Sequence, residues 1–116
     1  MEKKKAIELV IEYEKKQGRN PETTNKFKEG FDIKSNDRFI DVKIVNRDDD
    51  DILLSFTKFK KLGKNVSNYY VYVVAGEEKP SLIILEPDFL MKNLNLLTLI
   101  NIKSGLLRRL PKTSLQ

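Results

Sequence analysis

The chain has 116 residues, a formal net charge of +5 and a sequence pI near 9.4. A hydrophobic content of 40% beside 34% charged residues predicts one soluble globular domain with a single core. The absence of cysteine and histidine excludes disulfides, thiolate zinc sites and Cys or His catalysis. The basic balance fits an acidic partner such as nucleic acid, and it equally fits a lysine-rich surface that serves solubility. The sequence shows neither a signal peptide nor an apolar run long enough for a membrane span, which predicts a cytoplasmic protein.

A helix is predicted from about residue 3 to residue 17, because apolar residues recur there at helical spacing and Gly18 follows as a stop signal. The apolar face consists of Ala6, Leu9, Val10 and Tyr13. Glu14 falls inside the apolar arc, which has two interpretations. Either the last turn frays and Glu14 reaches water, or Glu14 faces the sheet and completes an acidic cluster with Asp32 and Asp41.

Residues 30–43, GFDIKSNDRFIDVK, predict a hairpin with its turn at residues 35–37. Because side chains alternate along a strand, Asp41 and Lys43 share one face, and folding the hairpin brings Asp32 towards Asp41. Two carboxylates that meet on a sheet repel each other unless a cation lies between them. Hard oxygen ligands of this kind suit Mg²⁺ or Mn²⁺.

Residues 18–29 are polar and predict a loop before the hairpin. After the hairpin, a third strand is expected at residues 52–56, a central strand at residues 69–75 and a returning strand at residues 81–85. The aspartates of residues 48–51 indicate either a solvated connection or a further cation site.

Thr57 can cap a short helix that carries the densest basic patch of the chain. Its lysines are Lys58, Lys60, Lys61 and Lys64. Such a patch is either a solvated face or a set of phosphate contacts, and a neighbouring carboxylate cluster favours the second interpretation.

The order helix, three strands, helix, strand is the layout of the restriction-endonuclease-like, or PD-(D/E)XK, core, an α/β fold with a mixed central sheet. Asp32 followed by Asp41, Val42 and Lys43 fills the defining motif positions of that core. The segments AIELVIEYEKKQGRNPE, GFDIKS, RFIDVK and NYYVYVV closely resemble the C-terminal domain of the NO VEIN protein, a branch of the same nuclease superfamily. The resemblance covers roughly residues 5–87.

This resemblance implies that Asp32 and Asp41 are metal ligands and that Lys43 is the catalytic lysine. Glu14 matches the acidic residue of a tyrosine-glutamate pair in the family and would be a further ligand, together with the Val42 carbonyl. The implied cofactor is Mg²⁺ or Mn²⁺. Asp41 stands where a glutamate is more usual, which keeps the charge but shortens the reach.

Near Lys58, relatives often carry an acid, so this chain departs from the family pattern in that helix. The function implied by the resemblance is metal-dependent hydrolysis of phosphodiester bonds in nucleic acid, DNA in preference to RNA. The competing hypothesis is a non-catalytic nuclease-like module that binds nucleic acid or docks to a partner protein of the helicase or defence type.

We expect a nuclease-like domain over residues 1–92 and a C-terminal extension over residues 93–116. Residues 93–102 are uncharged and largely apolar, so we expect this stretch to be buried against another protein surface. That surface would be the core of the domain itself, a second copy in a homodimer, or a helicase-type partner. The final residues, 106–116, are predicted to form a loose basic tail.

Overall fold

The fold is taken from a computed structural model, which describes residues 1–25, 30–46, 51–55, 67–92 and 99–115. The helices in these ranges are α1 (Lys3–Lys16), α2 (Pro87–Lys92) and α3 (Ser104–Arg109). The strands are β1 (Pro21–Thr23), β2 (Ile33–Ser35), β3 (Arg38–Val45), β4 (Ile52–Ser55), β5 (Tyr69–Ala75), β6 (Ser81–Leu85), β7 (Leu99–Ile102) and β8 (Thr113–Ser114).

The main sheet has six strands in the order β1-β2-β3-β5-β6-β8. Strands β3 and β5 run parallel, and the other neighbours are antiparallel. The sheet is therefore mixed, and the protein has the expected α/β architecture. Strand β5 lies in the interior of the sheet, as its aromatic and β-branched composition predicts.

The β2–β3 hairpin turns at residues 36–37, as predicted. Asn36 has a φ of 51°, a left-handed conformation that asparagine tolerates better than most residues. This turn sets the register in which Ile33 faces Ile40 and Ser35 faces Arg38. The register also determines which residues become neighbours just beyond the last pair of the hairpin.

Hydrophobic side chains cover both faces of the main sheet. On one face, Ala6 and Val10 of α1 pack against a cluster that includes Ile33, Ile40 and Val42. The opposite face is a second core, formed by Tyr69, Val71, Val73, Ile83 and Leu85 with Ile52, Leu90, Ile102 and Leu107. The face that carries Asp41 is therefore not an open chemical surface, because most of it is core.

The strand expected at residues 52–56 is present as β4, but its place in the sheets and the expected loop at residues 18–29 both differ from the sequence-based prediction. Strand β4 pairs with β7 in a separate two-stranded sheet instead of joining the sheet that carries Asp32 and Asp41. The physical reason is that β5 takes the edge of β3 that a third meander strand would need. In the second case, residues 21–23 form the short edge strand β1 within the segment that was expected to be a loop.

The interpretation of the C-terminal residues as a loose tail is also wrong. Leu107 of α3 is buried in the second core, and β8 pairs with β6. Ile102 is buried in the same core, so the domain itself covers this end of the apolar stretch. The homodimer and the helicase-type partner stay predictions.

No helix among the described residues is both long and apolar enough to cross a membrane.

Candidate active site

The site begins where strands β2 and β3 stop pairing. Their last described pair in this direction is Ile33 with Ile40, and the next residues are Asp32, just before β2, and Asp41 of β3. Asp41 is 0% exposed and Asp32 is 6% exposed. Two acidic side chains thus leave adjacent strands at the point where the sheet opens.

Asp32 is held by the backbone of the neighbouring strand and by a lysine of α1. Its Oδ2 accepts a hydrogen bond of 2.9 Å from the Val42 N–H. The same oxygen lies 3.1 Å from the Lys3 Nζ, and that ammonium also donates to the Val42 carbonyl. Because β2 no longer pairs here, the Val42 N–H and C=O are bound by these two side chains instead of by a strand.

Asp41 accepts a hydrogen bond of 2.7 Å from the Tyr69 hydroxyl. Burial raises the pKa of Tyr69, and the negative charges of Asp41 and Asp32 raise the pKa further. Both carboxylates therefore lie close enough to Tyr69 to repel its ionised form. The structure brings Asp32 and Asp41 together, as the hairpin register predicts.

Lys43 follows Asp41 by two residues on β3 and is half-buried. Strand alternation puts both residues on the same face, opposite the α1 face on which Ile40 and Val42 pack. The donor set of the site comprises two carboxylates and the Val42 carbonyl. These are hard oxygen ligands, and their chemistry fits Mg²⁺ or Mn²⁺.

Glu14 lies in a different cluster on the α1 face of the sheet. It is 0% exposed, and the Arg19 guanidinium binds both of its oxygens at 2.6 Å. The Tyr72 hydroxyl donates to Glu14 Oε2 at 3.0 Å and accepts from Arg38 at 2.8 Å. The carboxylate therefore has a full set of partners in the protein.

The partners of Glu14 determine its pKa. Burial alone would raise the pKa, but the hydrogen bonds from Arg19 and Tyr72 and the charge of Arg19 hold it below the ordinary value of 4.5. The Ser35 hydroxyl lies near enough to lower it further, although its oxygen makes no hydrogen bond of ordinary geometry. Conversely, the hydrogen bond to Glu14 raises the pKa of Arg19.

The end of α1 explains how Arg19 reaches Glu14. Gly18 has a φ of 82°, a left-handed conformation that suits glycine, and its N–H donates to the Lys15 carbonyl at 3.0 Å. The Arg19 N–H donates to the Glu14 carbonyl at 3.0 Å. This is a Schellman motif, which turns the chain back and puts Arg19 beside Glu14.

Glu14 is not brought together with the Asp32–Asp41 pair. Lys3, at the start of α1, contacts Asp32, and Glu14 lies eleven residues further along, roughly 16 Å at 1.5 Å per residue. Within the described parts of the chain, no three acidic side chains gather into a possible metal site. Glu14 faces the sheet, as one of the two interpretations expected, but its partners are Arg19 and Tyr72.

The sequence did not reveal four residues that shape these two clusters: Lys3, Arg19, Tyr69 and Tyr72. Tyr69 and Tyr72 lie in the apolar strand β5, whose composition indicates packing, whereas both hydroxyls donate to buried carboxylates. Arg19 carried a usable signal, because Gly18 after a helix predicts a C-cap that returns the next residue to the last turn. Lys3 carried none, since it is one of three consecutive lysines.

The predicted nucleic-acid contacts cannot be placed beside this site. Lys58, Lys60, Lys61 and Lys64 lie outside the described residues, as do residues 48–50 of the aspartate run. Asp51 is described, and its carboxylate accepts from the Ser104 N–H at 2.9 Å and pairs with Lys103 at 3.4 Å. That contact gives this aspartate a structural role in joining β4 to α3.

One comparison with known proteins gives a match. The model of the family described as "Protein NO VEIN, C-terminal" matches residues 2–85, which span α1 to β6 and include both carboxylate clusters. No curated protein and no solved structure matches the chain.

Proposed function

We propose that this chain, which belongs to the NO VEIN C-terminal family, is a divalent-metal-dependent nuclease that hydrolyses phosphodiester bonds in DNA. The observation that carries the proposal is the Asp32–Asp41 pair at the opening of the β2–β3 hairpin, with Lys43 two residues further along β3. Carboxylates on neighbouring strands need a positive partner, and an acidic metal site with an adjacent lysine is a common way to cleave phosphodiesters.

Asp32, Asp41 and the Val42 carbonyl would hold the metal. A bound Mg²⁺ or Mn²⁺ would polarise the phosphate and lower the pKa of an attacking water. The Tyr69 hydroxyl fixes the orientation of Asp41 through its hydrogen bond. The Val42 N–H fixes Asp32 in the same way, so both carboxylates are oriented before any ligand arrives.

Lys43 would act on the phosphate or on the water. Its ammonium can orient the attacking water, or it can offset the negative charge that develops on the phosphorus in the transition state. Glu14 has no part in this scheme, because its two oxygens are already bound by Arg19.

DNA is the proposed substrate because the chain carries a positive net charge and four lysines close together at positions 58, 60, 61 and 64. If three or four of these lysines each neutralise a phosphate, the logarithm of the affinity should fall with the logarithm of salt at a slope of roughly −3. Fluorescence anisotropy with a labelled duplex in Ca²⁺ measures this slope. The double variant Lys60→Ala/Lys61→Ala should flatten it by nearly two, and an unchanged slope would remove these lysines from the interface.

A second candidate is a non-catalytic nuclease-like module that binds nucleic acid or docks to a helicase or defence-type partner. One observation in its favour is the complete burial of Asp41. The other is that the contacts of Asp32 with Val42 and Lys3 also satisfy the backbone at the edge of β3, which is a structural role.

A metal-dependent cleavage assay across duplex, single-stranded and branched DNA and RNA separates these candidates. We expect cleavage that requires Mg²⁺ or Mn²⁺ and stops in EDTA. Lys43→Ala should lower turnover by about two to three orders of magnitude, the scale seen when one charge-stabilising group is lost. It should leave metal affinity unchanged or higher.

Lys34→Ala is the matched control, because Lys34 is an exposed lysine of the same hairpin on β2. Its cleavage rate should stay close to that of the wild type. Cleavage that survives Lys43→Ala would come from another site or from a contaminant, whereas absence of both cleavage and metal binding would favour the interaction module.

A further inference from the structure

The Lys3 ammonium lies where two of the proposed metal ligands converge. Its Nζ is 3.1 Å from Asp32 Oδ2 and donates to the Val42 carbonyl. An ammonium and a divalent cation seek the same partners, anionic and carbonyl oxygens. We infer that Lys3 is a built-in competitor for the metal, a cation of the protein's own that must leave before Mg²⁺ or Mn²⁺ binds. This inference rests on the proposed function.

The electrostatics of the pair explain why a cation of the protein itself is held there. Asp32 and Asp41 are both buried, and they lie just beyond the last residue pair of β2 and β3, Ile33 with Ile40. Buried like charges on neighbouring strand positions repel each other unless a positive charge compensates them. The Lys3 ammonium supplies such a charge through its contacts with Asp32 and the Val42 carbonyl.

The same contact is built to be reversible. The Lys3 side chain is 42% exposed, whereas Asp32 is 6% exposed. Lysine is a compact charge on a flexible four-carbon stem, so the ammonium can swing into water while its Cα stays at the start of α1. The guanidinium of Arg19, which grips Glu14 with two hydrogen bonds, has no comparable freedom.

The competition has a thermodynamic consequence for metal affinity. A metal that binds only after Lys3 leaves has its affinity reduced by the free energy of the Lys3 contact. Partly exposed ion pairs of this kind are worth about 1 kcal/mol, which corresponds to about fivefold in affinity. Removing the ammonium should therefore tighten metal binding, the opposite of what loss of a ligand or of a structural contact would do.

The test is Mn²⁺ binding by the full chain, measured from the EPR signal of free Mn²⁺ in solution. Lys3→Gln should bind Mn²⁺ about fivefold more tightly than the wild type. Lys3→Arg keeps a cation at this position and should stay closer to the wild type. The matched control is Lys4→Gln, which removes the same charge from the next, exposed residue of α1 and should leave affinity unchanged.

The possible outcomes separate this inference from the proposed function. The inference is supported if Lys3→Gln binds Mn²⁺ more tightly than the wild type and Lys4→Gln does not. It is supported most strongly if Lys3→Gln binds Mn²⁺ measurably and the wild type does not. If the wild type binds Mn²⁺ through Asp32 and Lys3→Gln binds equally or more weakly, the inference is overturned and the metal site stands. If no variant binds Mn²⁺, both fall. A thermal melt in EDTA confirms that each variant is folded.

Discussion

The protein buries carboxylates at two places, and the partners of these carboxylates differ in kind. Glu14 is matched by a two-pronged guanidinium and by a tyrosine hydroxyl, all within the fold. Asp32 is paired with Lys3, whose side chain is partly exposed, and it accepts from the backbone of β3 at a point where β2 no longer pairs. The first arrangement ties α1 to the sheet, whereas the second leaves the Asp32 carboxylate and the Val42 carbonyl in contact with a partly exposed lysine side chain.

The Glu14 cluster should account for a large part of the stability. Arg19→Met leaves a buried carboxylate without its counter-ion, and breaking a buried pair in this way costs about 3 kcal/mol or more. We expect a fall in the melting temperature of about 10 °C. The matched control is Lys16→Met, which removes an exposed cation from the last turn of the same helix.

A small effect of Arg19→Met, equal to that of Lys16→Met, would mean that Glu14 takes up a proton or finds water without cost. The claim that the Glu14 cluster stabilises the fold would then be wrong.

The hydrogen bond from Tyr69 should matter at the other site. Tyr69→Phe leaves Asp41 buried with one donor fewer, which should cost about 1–2 kcal/mol in chemical denaturation. It should also weaken Mn²⁺ binding, because the carboxylate loses the group that orients it. Tyr70→Phe is the control, since the Tyr70 ring stacks on Arg38 on the other face of the sheet.

Stability lost in Tyr69→Phe without any change in Mn²⁺ affinity would assign Tyr69 to the core alone. A larger loss of stability in Tyr70→Phe than in Tyr69→Phe would show that the hydrogen bond to Asp41 has little energetic weight.

The pH dependence gives a smaller signal with a definite sign. The pKa of Glu14 is lowered in the folded state by Arg19 and Tyr72, so the unfolded chain takes up a proton at a higher pH than the folded one. The stabilisation from ionised Glu14 is therefore complete above about pH 4.5 and is lost as the pH falls through the folded-state pKa.

Denaturant melts of the wild type and Glu14→Gln between pH 6 and pH 3 should show this. The stability difference between the two should narrow as the pH falls. A difference that stays constant, or grows in acid, would contradict the lowered pKa.

The elements close together in the chain could be predicted from the sequence. The helix before Gly18, the hairpin around Asn36 and the apolar strand at residues 69–75 all follow from local period and turn chemistry, and the structure confirms them. The meeting of Asp32 and Asp41 followed from the hairpin register alone. These features depend on residues within about ten positions of each other.

What could not be predicted depends on distant residues. Nothing near residue 52 indicates that β4 pairs with β7, almost fifty residues later, instead of with the main sheet. The prediction that Glu14 joins the acidic cluster was wrong for the same reason. The surroundings of Glu14 are set by Tyr72 and by the turn that brings Arg19 back to the end of α1. Helical angle alone placed Glu14 towards the sheet but could not say which part of the sheet it meets.

The most direct test of the contrast is a Mn²⁺ titration that compares Asp32→Asn with Glu14→Gln. Each substitution keeps the shape of its side chain and removes one negative charge. The account predicts that Asp32→Asn abolishes measurable Mn²⁺ binding, whereas Glu14→Gln lowers stability and leaves Mn²⁺ affinity unchanged. Loss of Mn²⁺ binding in Glu14→Gln, with binding retained in Asp32→Asn, would contradict it.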